Sequence, residues 1–279
     1  MKKFEISEED MSAISAQIVS IRTVNLTSFR EPFFYLNAGQ PGSGKTELNN
    51  LTRRSHDDDI LECNADTLRD YHPDVVEILR EHEADYPDIT WPPASQWNSD
   101  LVRIGQNRGY NILIETTLHN LDLALNTLKD MKSHGYQTHL QVLAVPYRWS
   151  WLGIHLRFES MKAITGVGRL VSQKDHDDRF RKLSDNLPKV VESPHLDFAS
   201  LYARRLHVAA NAGTALELMT DNKSEIEPRF RSIVDAKMSD EKRQEYQRET
   251  DRVVQLMKAR GVEEDRIQDF QRFAKTLSA

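Results

Sequence analysis

The run Gly39-Gln40-Pro41-Gly42-Ser43-Gly44-Lys45-Thr46 carries the clearest chemistry in the chain. Its glycines at 39 and 44, followed by Lys-Thr, satisfy every fixed position of the phosphate-loop pattern G-x-x-x-x-G-K-[ST]. Each residue type has a physical reason. Glycine lets backbone N–H groups close around phosphate oxygens, and the helix that follows offers its positive end. Lys45 reaches the terminal phosphates of a nucleotide as a point charge, and the Thr46 hydroxyl is a ligand for Mg2+. A chance match arises in about 1% of chains this long, given ordinary glycine usage. Here an apolar strand precedes the loop and helical residues follow it, as the motif requires. The loop therefore predicts binding of ATP with Mg2+.

Other polar residues stand at strand ends, where ligands bind in open α/β sheets. Asp66 follows the apolar run 60–63, and two readings stay open: a general base for a hydroxyl, or the N-cap of the helical stretch behind it. Glu115 ends the strand 110–115 and is expected to point into the crevice at the strand ends. Arg157 lies on a helical stretch with Glu159 nearby, where a plain surface arginine is the commonest outcome. Arg169 follows Gly166-Val-Gly168, a flexible stretch suited to a closing segment, with Arg179 and Arg181 as competitors. Asp100 or Ser99 is a candidate to reach an acceptor sugar. Trp91 and Trp97, set among prolines, suit either ring stacking or the anchoring of a loop. His56 beside Asp57-Asp-Asp59 reads as a solvated loop rather than a metal site, and His134, His139 and His155 lack ligand spacing. Cys63, on its strand, reads as packing.

These residues need a frame, and the apolar periodicity supplies one. Ser7-Glu-Glu-Asp10 looks like a helix start, with Met11, Ile14, Ile18 and Ile21 on one face. Short apolar runs at 33–36, 60–63, 110–115 and 139–145 read as strands. Helical stretches at 67–82 (interrupted at Pro73), 98–108, 120–134 and 148–163 separate them. The proline-rich stretch 85–97 reads as mostly loop. Residues 205–210 and 214–218 read as two strands joined by the turn Asn211-Ala-Gly213. Residues 239–260 and the stretch up to about 276 read as helices, with Gly261 at the C-terminal cap between them. The fold class is α/β, a central mostly parallel sheet flanked by helices, with C-terminal helices added. A helical segment 1–30, a core 31–222 and a helical extension 223–279 are the expected divisions.

Composition sets the outer bounds. The chain has 279 residues, 39% hydrophobic and 29% charged, with a net charge of -6. That balance describes a folded globular protein and argues against a broad basic face for nucleic acid. One cysteine excludes an intrachain disulfide, and no apolar run is long enough to cross a membrane. The expected location is the cytoplasm.

The ordered set of motifs resembles the zeta toxins, bacterial kinases of toxin–antitoxin systems that phosphorylate UDP-N-acetylglucosamine. The phosphate loop is nearly that family's form. Asn64-Ala-Asp66-Thr-Leu-Arg-Asp-Tyr-His72-Pro73, Glu115-Thr-Thr117, Ala144-Val-Pro146, Trp151-Leu-Gly153, Arg157-Phe-Glu159, Asp175-His-Asp177 and Asn186-Leu-Pro188 follow in the family's order. The likeness runs from about residue 33 to 218. It implies a P-loop kinase with Asp66 as catalytic base, Lys45, Arg157 and Arg169 on the phosphates, and Glu115 and Thr117 as substrate ligands, with Asp100 a further candidate. Two departures stand out: Thr116 where the family has glycine, and His119 where it has arginine. His119 falls at a substrate-contacting position and is mostly neutral at pH 7. It keeps open a related kinase acting on another hydroxyl, such as an antibiotic or the ribose of NAD. A non-catalytic nucleotide-binding switch is the reading from a different class. The resemblance also implies a small helical antitoxin as partner; a terminal helix, 7–21 or 239–276, acting in cis is the alternative.

Overall fold

The computed structural model describes residues 4–83, 85–204 and 215–278. Capping residues set the helix starts much as the sequence suggests. The Ser7 hydroxyl accepts from the Asp10 amide and opens α1 (Glu8–Arg22). After β1 (Phe33–Ala38) come α2 (Lys45–Arg54), the three-residue β2 (Leu61–Cys63), the short α3 (Ala65–Leu68), a 3-10 turn at Arg69–Tyr71 and α4 (Val75–Glu81). The long α5 (Tyr86–Arg108) leads to β3 (Ile112–Thr116), α6 (Leu121–Ser133), β4 (Gln137–Ala144), α7 (Tyr147–Thr165) and α8 (Gln173–Val191). β5 (Phe198–Arg204), β6 (Leu216–Thr220), α9 (Lys223–Val234), α10 (Asp240–Ala259) and α11 (Glu264–Ser278) complete the order.

The strands form one sheet in the order β2-β3-β1-β4-β5-β6. It is mostly parallel, as expected. β2 pairs parallel with β3, Glu62 opposite Leu113, and β6 pairs antiparallel with β5 with a register shift at Leu201/Tyr202. The near-continuous burial of β1 and β4 is what a sheet covered on both faces imposes. The expected strand at 205–210 and its turn at 211–213 lie outside the described residues. β6 overlaps the other expected strand, 214–218.

One expectation fails outright. The stretch 85–97 is helix, not loop, and forms the first half of α5. Pro87 sits in the first turn, where its missing N–H costs nothing. Pro92 and Pro93 lie inside the helix and do cost hydrogen bonds. Burial outweighs them: Thr90, Ala94, Trp97, Leu101 and Gly105 recur at helical spacing and are all buried. The apolar face read on α1 is also shorter than expected, because Ile18 is buried but Ile21 is exposed.

The chain forms two compact units. One consists of Met1–Leu36, Asn49–Glu115 and Thr127–His139, the other of Asn37–Leu48, Thr116–Asn126 and Leu140–Ala279. In the first, α1 packs on α5, and the Trp97 indole N–H donates to the Met11 carbonyl at 3.1 Å. Trp97 is therefore an anchor. In the second, α10 and α11 pack on α7 through Trp151, Leu152, Tyr246, Val253, Met257, Ile267 and Phe270. The Trp151 and Phe270 rings stack with centroids 5.2 Å apart. Glu159, 4% exposed, accepts two hydrogen bonds of 2.8 Å from Arg260 at the end of α10. Among the described residues no helix is long and apolar enough to cross a membrane.

Candidate active site

The phosphate loop turns where its glycines allow. Gly42 has φ +75° and Gly44 φ +95°, both in the region that favours glycine. The loop is tied at its ends. The Gly39 amide donates to the Thr116 carbonyl at 3.2 Å, and the buried Gln40 side chain donates to the Val145 carbonyl at 2.6 Å. Lys45, at the start of α2, is buried and donates from Nζ to the Gln40 carbonyl at 3.2 Å, folded over its own loop. Thr46 beside it is exposed. The Ser43 hydroxyl is buried without a hydrogen-bond partner among the described residues. A buried hydroxyl left unmatched is unusual, and it sits where an anion would receive it. These residues fit a nucleotide triphosphate, with the Thr46 hydroxyl available to a divalent cation.

Gly153 on α7 is what the loop rests on. A Cβ at Gly153 would lie 2.4 Å from the Gly42 carbonyl oxygen, and one at Gly42 would lie 2.0 Å from the Ser150 carbonyl oxygen. Backbone therefore packs on backbone, which only paired glycines permit. Arg204, the last residue of β5, lies on the loop's other side, with guanidinium atoms 3.3–3.4 Å from where a Gly44 Cβ would be. Glu245 and Glu249 of α10 and Glu47 act on its charge, while desolvation lowers its pKa. Neither Gly153 nor Arg204 is readable as a partner of the loop from sequence, because more than 100 residues separate each from it.

The same unit carries Thr117, His119, Arg157 and Arg169. Thr117 Oγ1 and His119 Nδ1 are 2.9 Å apart. Leu118 between them is buried with φ +51°, a conformation that costs a branched residue of order 1 kcal/mol or more. Two hydrogen bonds hold it. The Leu118 amide donates to Thr116 Oγ1 at 3.0 Å, and Asn186 Nδ2 donates to the Leu118 carbonyl at 2.7 Å. Thr116, the departure from glycine, thus supplies an acceptor that glycine lacks. Burial lowers the His119 pKa, and Arg179 and Lys182 of α8 lower it further. The position is neutral but stands in a positive field.

Arg157 is exposed on α7, and Arg169 is exposed in the connection 166–172 that joins α7 to α8. That connection is anchored at its far end by polar contacts between the two helices. Ser150 donates to the Tyr147 carbonyl at 3.0 Å and is met by His176 Nε2 at 2.9 Å, with Asp177 Oδ1 3.7 Å from His176 Nδ1. The trio looks like a nucleophile set, but Ser150 and His176 are both 0% exposed. No substrate reaches them, and burial lowers the His176 pKa. The contacts are structural.

In the other unit, Asn64 rather than Asp66 caps α3. Its Oδ1 accepts from the Asp66 amide at 3.0 Å. The Asp66 side chain is 66% exposed and pairs through Oδ1 with Arg69 Nε at 2.8 Å. Asn49, one turn into α2 from Lys45, donates to Glu62 Oε1 at 3.3 Å and to Glu115 Oε2 at 3.1 Å. Glu62 was not singled out above, though a lone acid within an apolar strand is a readable signal. Asp100 accepts from Ser15 of α1 at 3.0 Å and from Arg103 at 3.3 Å. His56 bonds the Tyr35 hydroxyl at 2.8 Å. Among the described residues no cluster of His, Cys, Asp and Glu is arranged to hold a metal. Trp91 lies 5.1 Å from the Arg69 guanidinium carbon.

Known proteins resemble this chain in sequence and in fold. A toxin zeta from Enterococcus hirae is 29% identical over 174 residues, covering 62% of this chain and 61% of its own length. A toxin zeta from Streptococcus agalactiae is 28% identical over 65% of this chain and 64% of its own. Toxin PezT from Streptococcus pneumoniae serotype 4 is 28% identical over 63% and 70%. The chain thus spans a little over three fifths of the length of the first two relatives. A solved chain from the PezAT chromosomal toxin-antitoxin system of Streptococcus pneumoniae has the same fold. It superposes with a TM-score of 0.80 over 92% of this chain and 100% of that one, at 22% identity. A chain in the crystal structure of AvrRxo1-ORF1:-ORF2 with ATP follows at a TM-score of 0.53 and 11% identity, over 98% and 84%. The model of the zeta toxin family matches residues 16–209, well over half of the sequence, and the chain belongs to that family.

Proposed function

We propose that this chain is an ATP-dependent kinase that moves the γ-phosphoryl group of ATP to a sugar hydroxyl of UDP-N-acetylglucosamine and so drains a cell-wall precursor. The observation that carries the reading is the division of labour around Asn64 and Asp66. Asn64 supplies the cap of α3, and the Asp66 carboxylate stands 66% exposed at the start of that helix, held by Arg69. Family membership and the shape of the phosphate loop support the nucleotide half.

In this reaction Lys45 and the loop amides hold the β- and γ-phosphates, and Arg157 and Arg169 neutralise the charge that spreads over the transferring group. Mg2+, held through Thr46, supplies charge neutralisation at the phosphates when bound. Asp66 takes the proton of the acceptor hydroxyl as its oxygen bonds the γ-phosphorus. The bridging oxygen leaves with its electron pair on ADP. Glu115, Thr117, His119 and Asp100 are the residues proposed to hold the acceptor.

One observation favours a second acceptor. His119 is neutral where the family has arginine, so a less anionic hydroxyl compound, such as an antibiotic, remains a rival substrate. The test uses ATP, Mg2+ and a panel of UDP-N-acetylglucosamine, other nucleotide sugars, NAD and antibiotics, read by phosphorus NMR and mass. A phosphorylated UDP-N-acetylglucosamine, absent with Asp66→Asn, is expected. Phosphorylation of another panel member alone would replace the substrate, and ATP binding with no transfer to any would leave a nucleotide-dependent switch. We also propose a cytoplasmic location and a small helical antitoxin as partner. Self-inhibition by 239–276 is the weaker alternative, because α10 and α11 bury Trp151 and Leu152.

A further inference from the structure

Arg69 is a cation withdrawn from water in a segment whose chemistry is otherwise exposed. Its side chain is 6% exposed, whereas that of its partner Asp66 is 66% exposed. Taking a guanidinium out of water is unfavourable unless its protons find acceptors, and here they do. Nε donates to Asp66 Oδ1 at 2.8 Å, and Nη1 donates to the Pro87 carbonyl at 2.8 Å and to Thr90 Oγ1 at 2.9 Å. Thr90 is itself fixed, since its hydroxyl donates to the Tyr86 carbonyl at 2.6 Å. The rings of Trp91 and Tyr86 lie 5.1 and 5.9 Å from the guanidinium carbon. Every contact except Asp66 comes from the first turns of α5, the proline-bearing stretch whose helicity the sequence does not predict.

An ordinary pair spaced i,i+3 on a helix surface leaves both side chains waving in solvent, and orientation is lost. This pair is different in kind. One end is clamped by hydrogen bonds and two rings, and the other is a carboxylate presented to solvent. A planar guanidinium donating along a fixed direction sets the rotation of the carboxylate that it holds. The α5 carbonyl and hydroxyl meet Nη1 and the rings lie by the guanidinium, which leaves Nε directed at Asp66.

We propose that Arg69 is the positioning residue for Asp66, and that the start of α5 (Tyr86, Pro87, Thr90 and Trp91) is the frame that holds Arg69. This rests on the reading of Asp66 as the base. Arg69 touches neither phosphate nor acceptor in this assignment. It holds Asp66 Oδ1 so that the carboxylate meets the acceptor hydroxyl in one orientation, and general-base catalysis depends on that geometry.

The test is a double-mutant cycle on the full chain, with ATP and UDP-N-acetylglucosamine or whichever panel acceptor is turned over. Arg69→Gln is expected to lower kcat by about 10- to 100-fold, the scale of a base misplaced by a fraction of an ångström to 1 Å, while KM for ATP stays within about twofold of wild type. In an Asp66→Asn background the same change should cost nothing further, since nothing remains to orient. Arg69→Lys keeps the charge but loses the fork, and should recover only part of the rate. Because Arg69 is buried, its loss is itself a folding risk. Thr90→Val is the milder variant, nearly isosteric, which removes one acceptor from Nη1 and should lower kcat several-fold with the thermal transition retained. Two outcomes overturn the proposal: a folded Arg69→Gln or Thr90→Val chain at wild-type kcat, or losses that multiply in the Asp66→Asn background. Wild-type turnover by Asp66→Asn would be a different failure, removing the base and its positioning together.

Discussion

Gly153→Ala sets two opposing effects against one another. In the middle of a helix, glycine to alanine ordinarily stabilises by about 1 kcal/mol, because alanine restricts the unfolded chain and glycine does not. At Gly153 the new methyl would lie 2.4 Å from the Gly42 carbonyl oxygen, 3.2 Å from its carbon and 3.3 Å from its Cα. Ordinary contact begins near 3.4 Å, so the loop carbonyl must retreat by about 1 Å. Overpacking of this kind costs typically 1–3 kcal/mol, which leaves a net loss of stability of roughly 0–2 kcal/mol. Function has less tolerance. A displacement of about 1 Å in a positioned group costs on the order of 10²-fold in rate, and Gly42 lies inside the phosphate loop. The expected result is a thermal transition lowered by a few degrees at most, with transfer activity and affinity for a nonhydrolysable ATP analogue both sharply reduced. Gly105→Ala is the control. It also lies within a helix, but its methyl would meet the Ile112 side chain at 2.7 Å and not a backbone carbonyl. It should change stability while leaving nucleotide affinity alone. If Gly153→Ala binds the analogue as tightly as wild type and melts no lower, the backbone contact does not shape the loop and the reasoning is wrong.

Lys45→Ala should give a folded chain with little or no transfer, checked by circular dichroism and a phosphate-transfer assay; undiminished turnover would remove the phosphate-loop assignment. His119→Arg should lower KM for UDP-N-acetylglucosamine with kcat nearly unchanged, by at most about fivefold, since an exposed ionic contact is worth no more than roughly 1 kcal/mol and Arg179 and Lys182 already act on this position. An unchanged or higher KM would mean that His119 does not face the acceptor. Burial lowers the His155 pKa to about 4. Between pH 6.5 and 4 the unfolded chain therefore binds a proton that the folded chain refuses, and stability should fall as pH drops through that window. His155→Gln should flatten this part of the curve of denaturation midpoint against pH, and an unchanged slope would contradict the buried neutral imidazole.

The features legible in the sequence are those whose cause is local. The phosphate loop, the strands read at 33–36 and 139–145 and the cap at Ser7 each depend on residues within a few positions. The first half of α5 was not legible, because its prolines argue for a loop and only burial of Thr90, Ala94 and Trp97 argues back. α8 was missed for a related reason: its inward positions His176, Leu183, Leu187 and Val190 include a histidine, which breaks the apolar count until it is known to be buried. Which residue caps α3 depends on Asn64 and Asp66, two positions apart, a competition that spacing leaves undecided. Arg204 over Gly44 and Gly153 under Gly42 depend on contacts across the chain, where periodicity carries no information.

The stack of Phe270 on Trp151 joins residues 119 positions apart. During synthesis at roughly 5–20 residues per second, that separation is a delay of about 6–24 s. Until α10 and α11 have left the ribosome, Trp151 and Leu152 on α7 lack the partners that cover them, and α7 carries both the glycine beneath the phosphate loop and Arg157. The order of synthesis therefore leaves α7, with the glycine under the phosphate loop, to be covered by helices made well after it.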